Sequence, residues 1–191
     1  MYSPRVELAL ATALEAHGLS RRKAGRGFEV SHVTSVAMIA ADHGCDEDTI
    51  VAALLHDTLE DTALEPDVIR SRFGALVLAM VQDVSEPPQP RPWRARKEAY
   101  IDQLRVTPRA GARAVASADK IHNLSKMTQG LRTQGRPFIR PFSAPLDQMV
   151  WYHRTVLATL QDAWSHAILE EHARQAAAFL AAAAEAESAA T

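Results

Sequence analysis

The amino-acid sequence predicts an all-α fold, a single compact helical bundle. Apolar residues recur at helical spacing along most of the 191 residues, and no stretch alternates apolar and polar residues as a half-exposed strand does. Glycine, proline or a capping side chain also stands at most of the expected helix ends. A chain of this length has room for one well-packed domain, without a second large one.

Local end signals define the helices in the first half of the chain. Gly18 ends the first helix, Ser31 is a good N-cap for the second, and Asp46 caps the third. Pro66 stands where a first helical turn tolerates proline. We therefore expect helices at 4–17, 31–43, 47–60, 66–73 and 75–83.

Proline and glycine interrupt the second half of the chain. Several prolines between Glu86 and Pro92 exclude a helix there. A segment rich in glycine, proline and arginine, 130–141, is expected to form a second loop. The last helix is rich in alanine and is expected to fray beyond Ala184. We expect helices at 93–105, 109–128, 144–162 and 164–187.

Composition excludes several classes of protein. A net charge of -2 argues against a general nucleic-acid binder, which usually carries a strong basic excess. The single cysteine, Cys45, cannot form an internal disulfide, so we expect a cytoplasmic protein. No apolar h-region follows Met1, and no stretch approaches the roughly 20 apolar residues of a membrane span. We expect neither a signal peptide nor a membrane segment.

The most informative stretch of the sequence is 54–62, Leu-Leu-His-Asp-Thr-Leu-Glu-Asp-Thr. On a helix, the pairs His56/Glu60 and Asp57/Asp61 are each one turn apart, so the four polar groups lie on neighbouring faces. They continue the apolar run 50–55, which is typical of a buried helix. Carboxylates and an imidazole at the end of such a run are costly unless a charge compensates them. The pattern therefore predicts a divalent metal.

Two further residues complete the predicted metal site. His32 lies near the start of the second helix, and Asp119 lies in the string Ala-Asp-Lys-Ile-His-Asn-Leu of a later helix. Together with His56 and Asp57 they supply two imidazoles and two carboxylates. Such mixed ligands suit Mn²⁺, Fe²⁺, Zn²⁺ or Co²⁺. Four protein ligands on an octahedral ion leave positions for water or a substrate oxygen.

The order His32, His56-Asp57, Asp119 resembles the signature of HD-domain phosphohydrolases. The longer strings 56–62 and 118–124 are similar to the hydrolase domain of RelA/SpoT proteins and of stand-alone small alarmone hydrolases. The resemblance implies one HD hydrolase domain over 1–191. Its metal-site core lies at about 21–127, and its C-terminal helices lie at about 144–187. No length remains for the synthetase or regulatory domains of long RelA/SpoT proteins.

The resemblance implies a specific reaction, hydrolysis of the 3′-pyrophosphate of (p)ppGpp with Mn²⁺, releasing pyrophosphate and GDP or GTP. The residues that match the family's metal ligands are His32, His56, Asp57 and Asp119. Glu60 and Asp61 match the pair that orients and deprotonates the attacking water. The positions that match the nucleotide-binding residues, or lie close to them, are Arg22, Lys23, Asn123 and Lys126. The implied partner is a small phosphorylated nucleotide.

The sequence leaves the exact substrate open. Phe28-Glu29-Val30 stands where this family often reads Pro-Tyr-Ile, and Ser125-Lys126 stands where it often carries an arginine and a small hydroxyl residue. These positions lie nearer the nucleotide than the metal. Adenine alarmones, NADPH and nucleoside 5′-monophosphates are therefore alternative substrates, and a non-catalytic nucleotide sensor is an alternative of another class.

Other residues carry weaker signals. Arg132, Arg136 and Arg140 are spaced four residues apart, and are either solvated or bind phosphate. His122 is expected at most to orient Asp119 or Asn123. The alanine-rich last helix could support a homodimer. The remaining histidines are expected to be surface or packing residues; these are His17, His43, His153, His166 and His172.

Overall fold

The computed structural model describes residues 3–22, 27–87 and 92–189. It confirms the all-α prediction: across these ranges the only β-type pairing is an isolated bridge between Arg21 and Phe28. The helices in chain order are α1 (Pro4–His17), α2 (Glu29–Asp42), α3 (Glu47–Leu55), α4 (Thr58–Asp61), α5 (Pro66–Phe73), α6 (Ala75–Val84), α7 (Trp93–Val106), α8 (Ala110–Gln134), α9 (Leu146–Ala163) and α10 (Ile168–Ser188). A 3-10 helix, Arg136–Ile139, lies between α8 and α9.

Two buried helices organise the core. Every residue of α3 from Thr49 to Leu55 is buried, as expected for a helix that is apolar all round. The longest helix, α8, packs against α2, α3, α6 and α10. Because α2, α3 and α8 contact one another, the predicted ligand residues on them face a common space. No helix within the described ranges has the length and apolarity needed to cross a membrane.

The motif helix predicted over 47–60 is divided in two at His56-Asp57. Asp57 has φ -90° and ψ -6°, in the bridge region where many active-site residues lie. The last carbonyls of α3 accept hydrogen bonds from side chains: Thr58 Oγ1 donates to Leu55 O at 2.6 Å. The break lets two consecutive side chains reach the same point, and His56 Nε2 lies 3.1 Å from Asp57 Oδ1.

Helix starts were predicted with mixed success. Asp46 is confirmed as a cap, since its Oδ1 accepts the Thr49 N–H at 2.9 Å. The prediction for Ser31 is wrong: α2 begins at Glu29, and Ser31 Oγ donates to Phe28 O. The last two helices begin at Leu146 and Ile168 instead of 144 and 164.

The loop predicted over 130–141 is largely helical. Helix α8 continues to Gln134 and ends at Gly135, whose φ of 63° lies in the left-handed region. Gly130 lies inside this helix, and a Cβ there would be 2.3 Å from the Phe138 ring, so the position has room only for glycine. A helix-weakening residue is therefore kept for close packing, which sequence propensity does not reveal.

Candidate metal centre and its cavity

The structure brings the four predicted ligands together. His32 Nε2 lies 3.3 Å from both Asp57 Oδ2 and Asp119 Oδ1. His56 Nε2 lies 3.1 Å from Asp57 Oδ1 and 3.9 Å from Asp119 Oδ1. Neighbouring ligands of an octahedral ion at ~2.1 Å lie about 3 Å apart. One donor atom each from His32, His56 and Asp119 lies within 4.8 Å of the others, so the group could hold a metal ion.

A buried orphan atom supports this fit. His56 Nδ1 is bonded to Ala53 O at 2.8 Å. A carbonyl only accepts, so Nδ1 carries the proton and Nε2 presents a lone pair. Nε2 is buried and has no hydrogen-bond partner among the described residues, even though a carboxylate oxygen of Asp57 lies close to it. A lone pair facing a carboxylate is unfavourable without a cation between them, and this donor set fits a divalent metal.

Ionic groups around the site hold both carboxylates in their charged form. Burial raises the pKa of Asp119, but Lys120 and the two imidazoles lower it well below its usual range. Burial likewise raises the pKa of Asp57, and His56 and His32 lower it well below its usual range. Burial lowers the pKa of His32, yet its hydrogen bonds to Asp119 and Asp57 raise it to about 9. Both carboxylates are therefore ionised at neutral pH.

Glu60 and Asp61 lie on α4 beside this group and line the same cavity. Glu60 Oε1 accepts the backbone N–H of Glu86 at 2.9 Å. The Glu60 side chain is exposed where it opens into the cavity, and neighbouring atoms cover the rest of it. Burial and the negative charge of Asp57 therefore raise its carboxyl pKa above the usual range, while the Glu86 N–H opposes them. A nearby divalent ion would favour its ionised form.

Two predicted nucleotide-binding residues are linked by hydrogen bonds to the predicted ligand Asp119. Arg22 Nη2 donates to Asn123 Oδ1 at 2.7 Å, and Asn123 Nδ2 donates to Asp119 Oδ1 at 2.5 Å. Arg22 also pairs with Glu29 at 2.9 Å. Lys126 is exposed and lines the cavity. Lys23 lies outside the described residues.

Sequence reasoning missed a second basic group in the cavity. Arg96 pairs with Glu86 at 3.1 Å, and Lys97 pairs with the same carboxylate. On an amphipathic helix after a proline-rich segment, these two cations look like ordinary surface residues. Lys120 was also missed: its ammonium is buried, donates to Asp119 at 2.5 Å, and lies 5.0 Å from the Tyr100 ring centroid. Its position next to Asp119 was the only sequence signal.

One cavity of about 1480 Å³ joins these groups. The charged residues that line it are Arg22, Glu29, Asp57, Glu60, Asp61, Glu86, Arg96, Lys97, Asp119, Lys120 and Lys126. We call the part beside His32 and Asp119 the metal end. The far end is lined by Met127, Gly130, Phe138, Phe142 and Met149, together with the polar side chains of Gln129, Thr133, Gln134 and Ser143. The cavity thus joins an ionic site to a site suited to a ring system.

Comparison with known proteins identifies similar sequences. The HD domain profile matches residues 9–139. The guanosine-3′,5′-bis(diphosphate) 3′-pyrophosphohydrolase of Aquifex aeolicus is 40% identical over 85 residues, which are 44% of this chain and 12% of that protein. The human protein of the same description is 34% identical over 120 residues, 61% of this chain and 66% of that protein. This chain spans only 12% and 17% of the Aquifex aeolicus and Haemophilus influenzae relatives.

Solved structures have the same fold. A structure described as a metazoan orthologue of SpoT that hydrolyses ppGpp superposes with a TM-score of 0.74 at 27% identity, covering 92% of this chain and 97% of that one. A Listeria monocytogenes structure gives a TM-score of 0.69 at 29% identity, covering 76% and 96%. The matched region of the sequence profile includes the elements that carry all four predicted ligands.

Proposed function

This chain belongs to the HD-domain family, and we propose that it is a metal-dependent hydrolase of (p)ppGpp-type alarmones. The reaction removes the 3′-pyrophosphate and gives pyrophosphate and GDP or GTP. The observation that carries the proposal is the convergence of His32, His56, Asp57 and Asp119 on the wall of a cavity of about 1480 Å³. Pockets for drug-sized ligands measure roughly 300–1,000 Å³, so the cavity accommodates a nucleotide with several phosphates.

Charge in the cavity supports metal dependence. Among the described residues, six carboxylate side chains and five lysine or arginine side chains line it, so this part of the lining offers no excess positive charge to a polyphosphate. A divalent ion held by the four ligands, for which we propose Mn²⁺, would supply that charge and make a water molecule more acidic, which for zinc means a fall in pKa from ~15.7 to ~7. Lys120 and Asn123 keep the Asp119 carboxylate oriented for this role.

Glu60 and Asp61 are the groups that we assign to proton transfer. They sit one turn after His56 and Asp57, and both line the cavity. A carboxylate placed there can accept the proton of the attacking water, and such general-base help is worth roughly 10²–10⁴ in rate. The hydrogen bond from the Glu86 N–H fixes Glu60 Oε1 and leaves its second oxygen for the water.

Basic residues on two walls suit the phosphates of the nucleotide. We assign Arg22, Lys126 and Asn123 to one wall. Lys23, which we also propose to bind the nucleotide, lies outside the described residues. Arg96 and Lys97 stand on another wall. Glu29 pairs with Arg22, and Glu86 pairs with Arg96 and Lys97. Phosphate oxygens could take over the same donors, because arginine binds phosphate with the geometry it uses for carboxylate.

The compartment and assembly of the protein are part of this proposal. We propose a cytoplasmic protein, in line with the single Cys45. A homodimer through α10 stays a prediction. Ala176, Ala182 and Ala183 are buried and belong to one apolar cluster with residues of α8. A dimer would therefore use the opposite face of α10, and analytical ultracentrifugation would test it.

The decisive experiment compares substrates side by side with added Mn²⁺. We expect ppGpp and pppGpp to be cleaved with release of pyrophosphate, and the Asp57→Ala variant to be inactive on both. Release of orthophosphate from GMP would assign a nucleotidase instead. Preference for ppApp or NADPH would keep the chemistry and change the base or phosphate that is recognised. Tight binding of ppGpp without any product would mean that the protein is a sensor.

A further inference from the structure

His122 contacts the candidate ligand His32 from across the bundle. Its Nδ1 lies 2.8 Å from His32 Nδ1, and the two ring centroids are 4.8 Å apart at an angle of 48°. His32 is on α2 and His122 is on α8, so this hydrogen bond joins two helices. We propose that His122 is a positioning residue that fixes the ring and the tautomer of His32 for metal binding. The inference rests on the proposed function only in that these ligands hold a divalent cation.

The proton between His32 Nδ1 and His122 Nδ1 decides whether His32 can bind a metal. Two ring nitrogens at 2.8 Å share a single proton, which belongs either to His32 or to His122. If His32 Nδ1 donates, a neutral His32 presents a lone pair at Nε2, which lies 3.3 Å from both Asp57 and Asp119. If His122 donates instead, the Nε2 of a neutral His32 carries a hydrogen that points at those carboxylates and excludes the cation. Only the first arrangement allows His32 to bind a metal.

The two histidine ligands are held in different ways. The His56 ring is fixed by the backbone of the preceding helical turn, since its Nδ1–H donates to Ala53 O at 2.8 Å. Within the described ranges, the His32 ring has no such backbone contact, and its Nδ1 bonds to the side chain of His122. Metal-ligating histidines usually need an acceptor on the second ring nitrogen, and loss of that acceptor typically costs 10–100-fold in metal affinity. The acceptor for His32 is therefore the one that a substitution can remove.

A single turn of α8 supplies this acceptor together with a ligand. Asp119 precedes His122 by three residues, so the two side chains leave the same side of the helix. Asp119 Oδ1 faces His32 Nε2, and His122 Nδ1 faces His32 Nδ1. The His32 ring is thus held at both nitrogens by one turn of α8. A shift of that turn would move Asp119 and His122 together. Helix α8 therefore sets the position of the His32 ring on α2.

A matched pair of variants tests the proposal. The amide oxygen of asparagine can take the place of an Nδ1 acceptor, whereas leucine has nearly the same shape without an acceptor. On EDTA-treated protein without nucleotide, we expect His122→Leu to weaken Co²⁺ binding by about 10–100-fold and His122→Asn to stay within a few-fold of wild type. Co²⁺ absorption measures both constants, and urea unfolding of the metal-free proteins checks that each variant is folded.

Each possible result of these experiments either supports or rejects the role of His122. Wild-type affinity in both variants, or equal loss in both, would reject the hydrogen bond as the cause. If His122→Leu does not fold, ¹⁵N NMR of Zn²⁺-loaded wild type decides alone: the proposal requires a protonated His32 Nδ1 with coupling across the bond to an unprotonated His122 Nδ1. A proton on His122 Nδ1 would overturn it. Because none of these measurements involves turnover, an error in the proposed substrate would leave them unchanged.

Discussion

The two ends of the cavity are built by different forces. At the metal end, polar groups pair with one another at short distances, as in the contact of Arg22 with Asn123 at 2.7 Å. At the far end, Phe138 and Phe142 pack with ring centroids 5.4 Å apart, and Gly130 exists to admit the Phe138 ring. Polar contacts fix direction, and apolar packing fixes shape. Substitutions at the metal end should therefore change metal binding and chemistry, and those at the far end should change stability and substrate affinity.

The largest effect is expected from removing a ligand. Asp57→Ala should lose both bound metal and turnover, with metal affinity falling by more than the roughly 10–100-fold expected for a supporting residue. Elemental analysis after gel filtration measures the metal, and pyrophosphate release measures turnover. Asp67→Ala is a suitable control, because the Asp67 carboxylate is exposed on α5. Retention of stoichiometric metal by Asp57→Ala would remove Asp57 from the ligand set.

The second-largest effect is expected from removing the proton acceptors at the metal end, which should lower turnover and leave metal binding intact. The double variant Glu60→Gln/Asp61→Asn should keep its metal and lose roughly 10²–10⁴ in kcat, since only the proton acceptor is removed. Steady-state kinetics at saturating Mn²⁺, together with elemental analysis, would show the split. Full activity of the double variant would mean that another group accepts the proton.

A substitution at the far end should act through packing. Gly130→Ala places a Cβ 2.3 Å from the Phe138 ring, and we expect a loss of about 1–3 kcal/mol in unfolding free energy from this overpacking. KM should rise, while Co²⁺ affinity should not change. Adding Phe138→Leu should recover part of the stability by making room. A change in metal affinity would show that the two ends are coupled.

The smallest effect concerns how the free energy of unfolding depends on pH, and it comes from the buried side chain of His172. Burial and then the charge of Lys120 lower the pKa of His172 to about 4. The unfolded chain, with a pKa near 6.5, therefore binds more protons below neutrality, so stability falls as the pH drops from 6.5 towards 4. Between pH 7 and 6, metal-free wild type should lose roughly 0.7 kcal/mol more than His172→Asn. Urea unfolding at both pH values measures the difference, and parallel curves would contradict the assignment.

Several elements followed from the sequence because their causes are local. Helical spacing gave the all-α class, and Asp46 caps α3 through a residue three positions away. The order of His32, His56-Asp57 and Asp119, through its resemblance to the HD-domain signature, predicted that these groups meet. The prediction for 130–141 was wrong for the opposite reason, since Gly130 lies inside α8 where its missing side chain makes room for the distant Phe138 ring. Of the other histidines, His17, His153 and His172 are buried and His43 and His166 are not, and burial depends on distant packing.

The sequence by itself determined the helical class, the ligand types and their order along the chain, because periodicity and short-range spacing are properties of neighbouring residues. The tertiary structure decided which groups support those ligands. His122 meets His32 across 90 residues, and Glu86 joins Glu60 to Arg96. Such contacts arise only when separate helices pack together, and no local pattern encodes which side chains will then lie within hydrogen-bond distance.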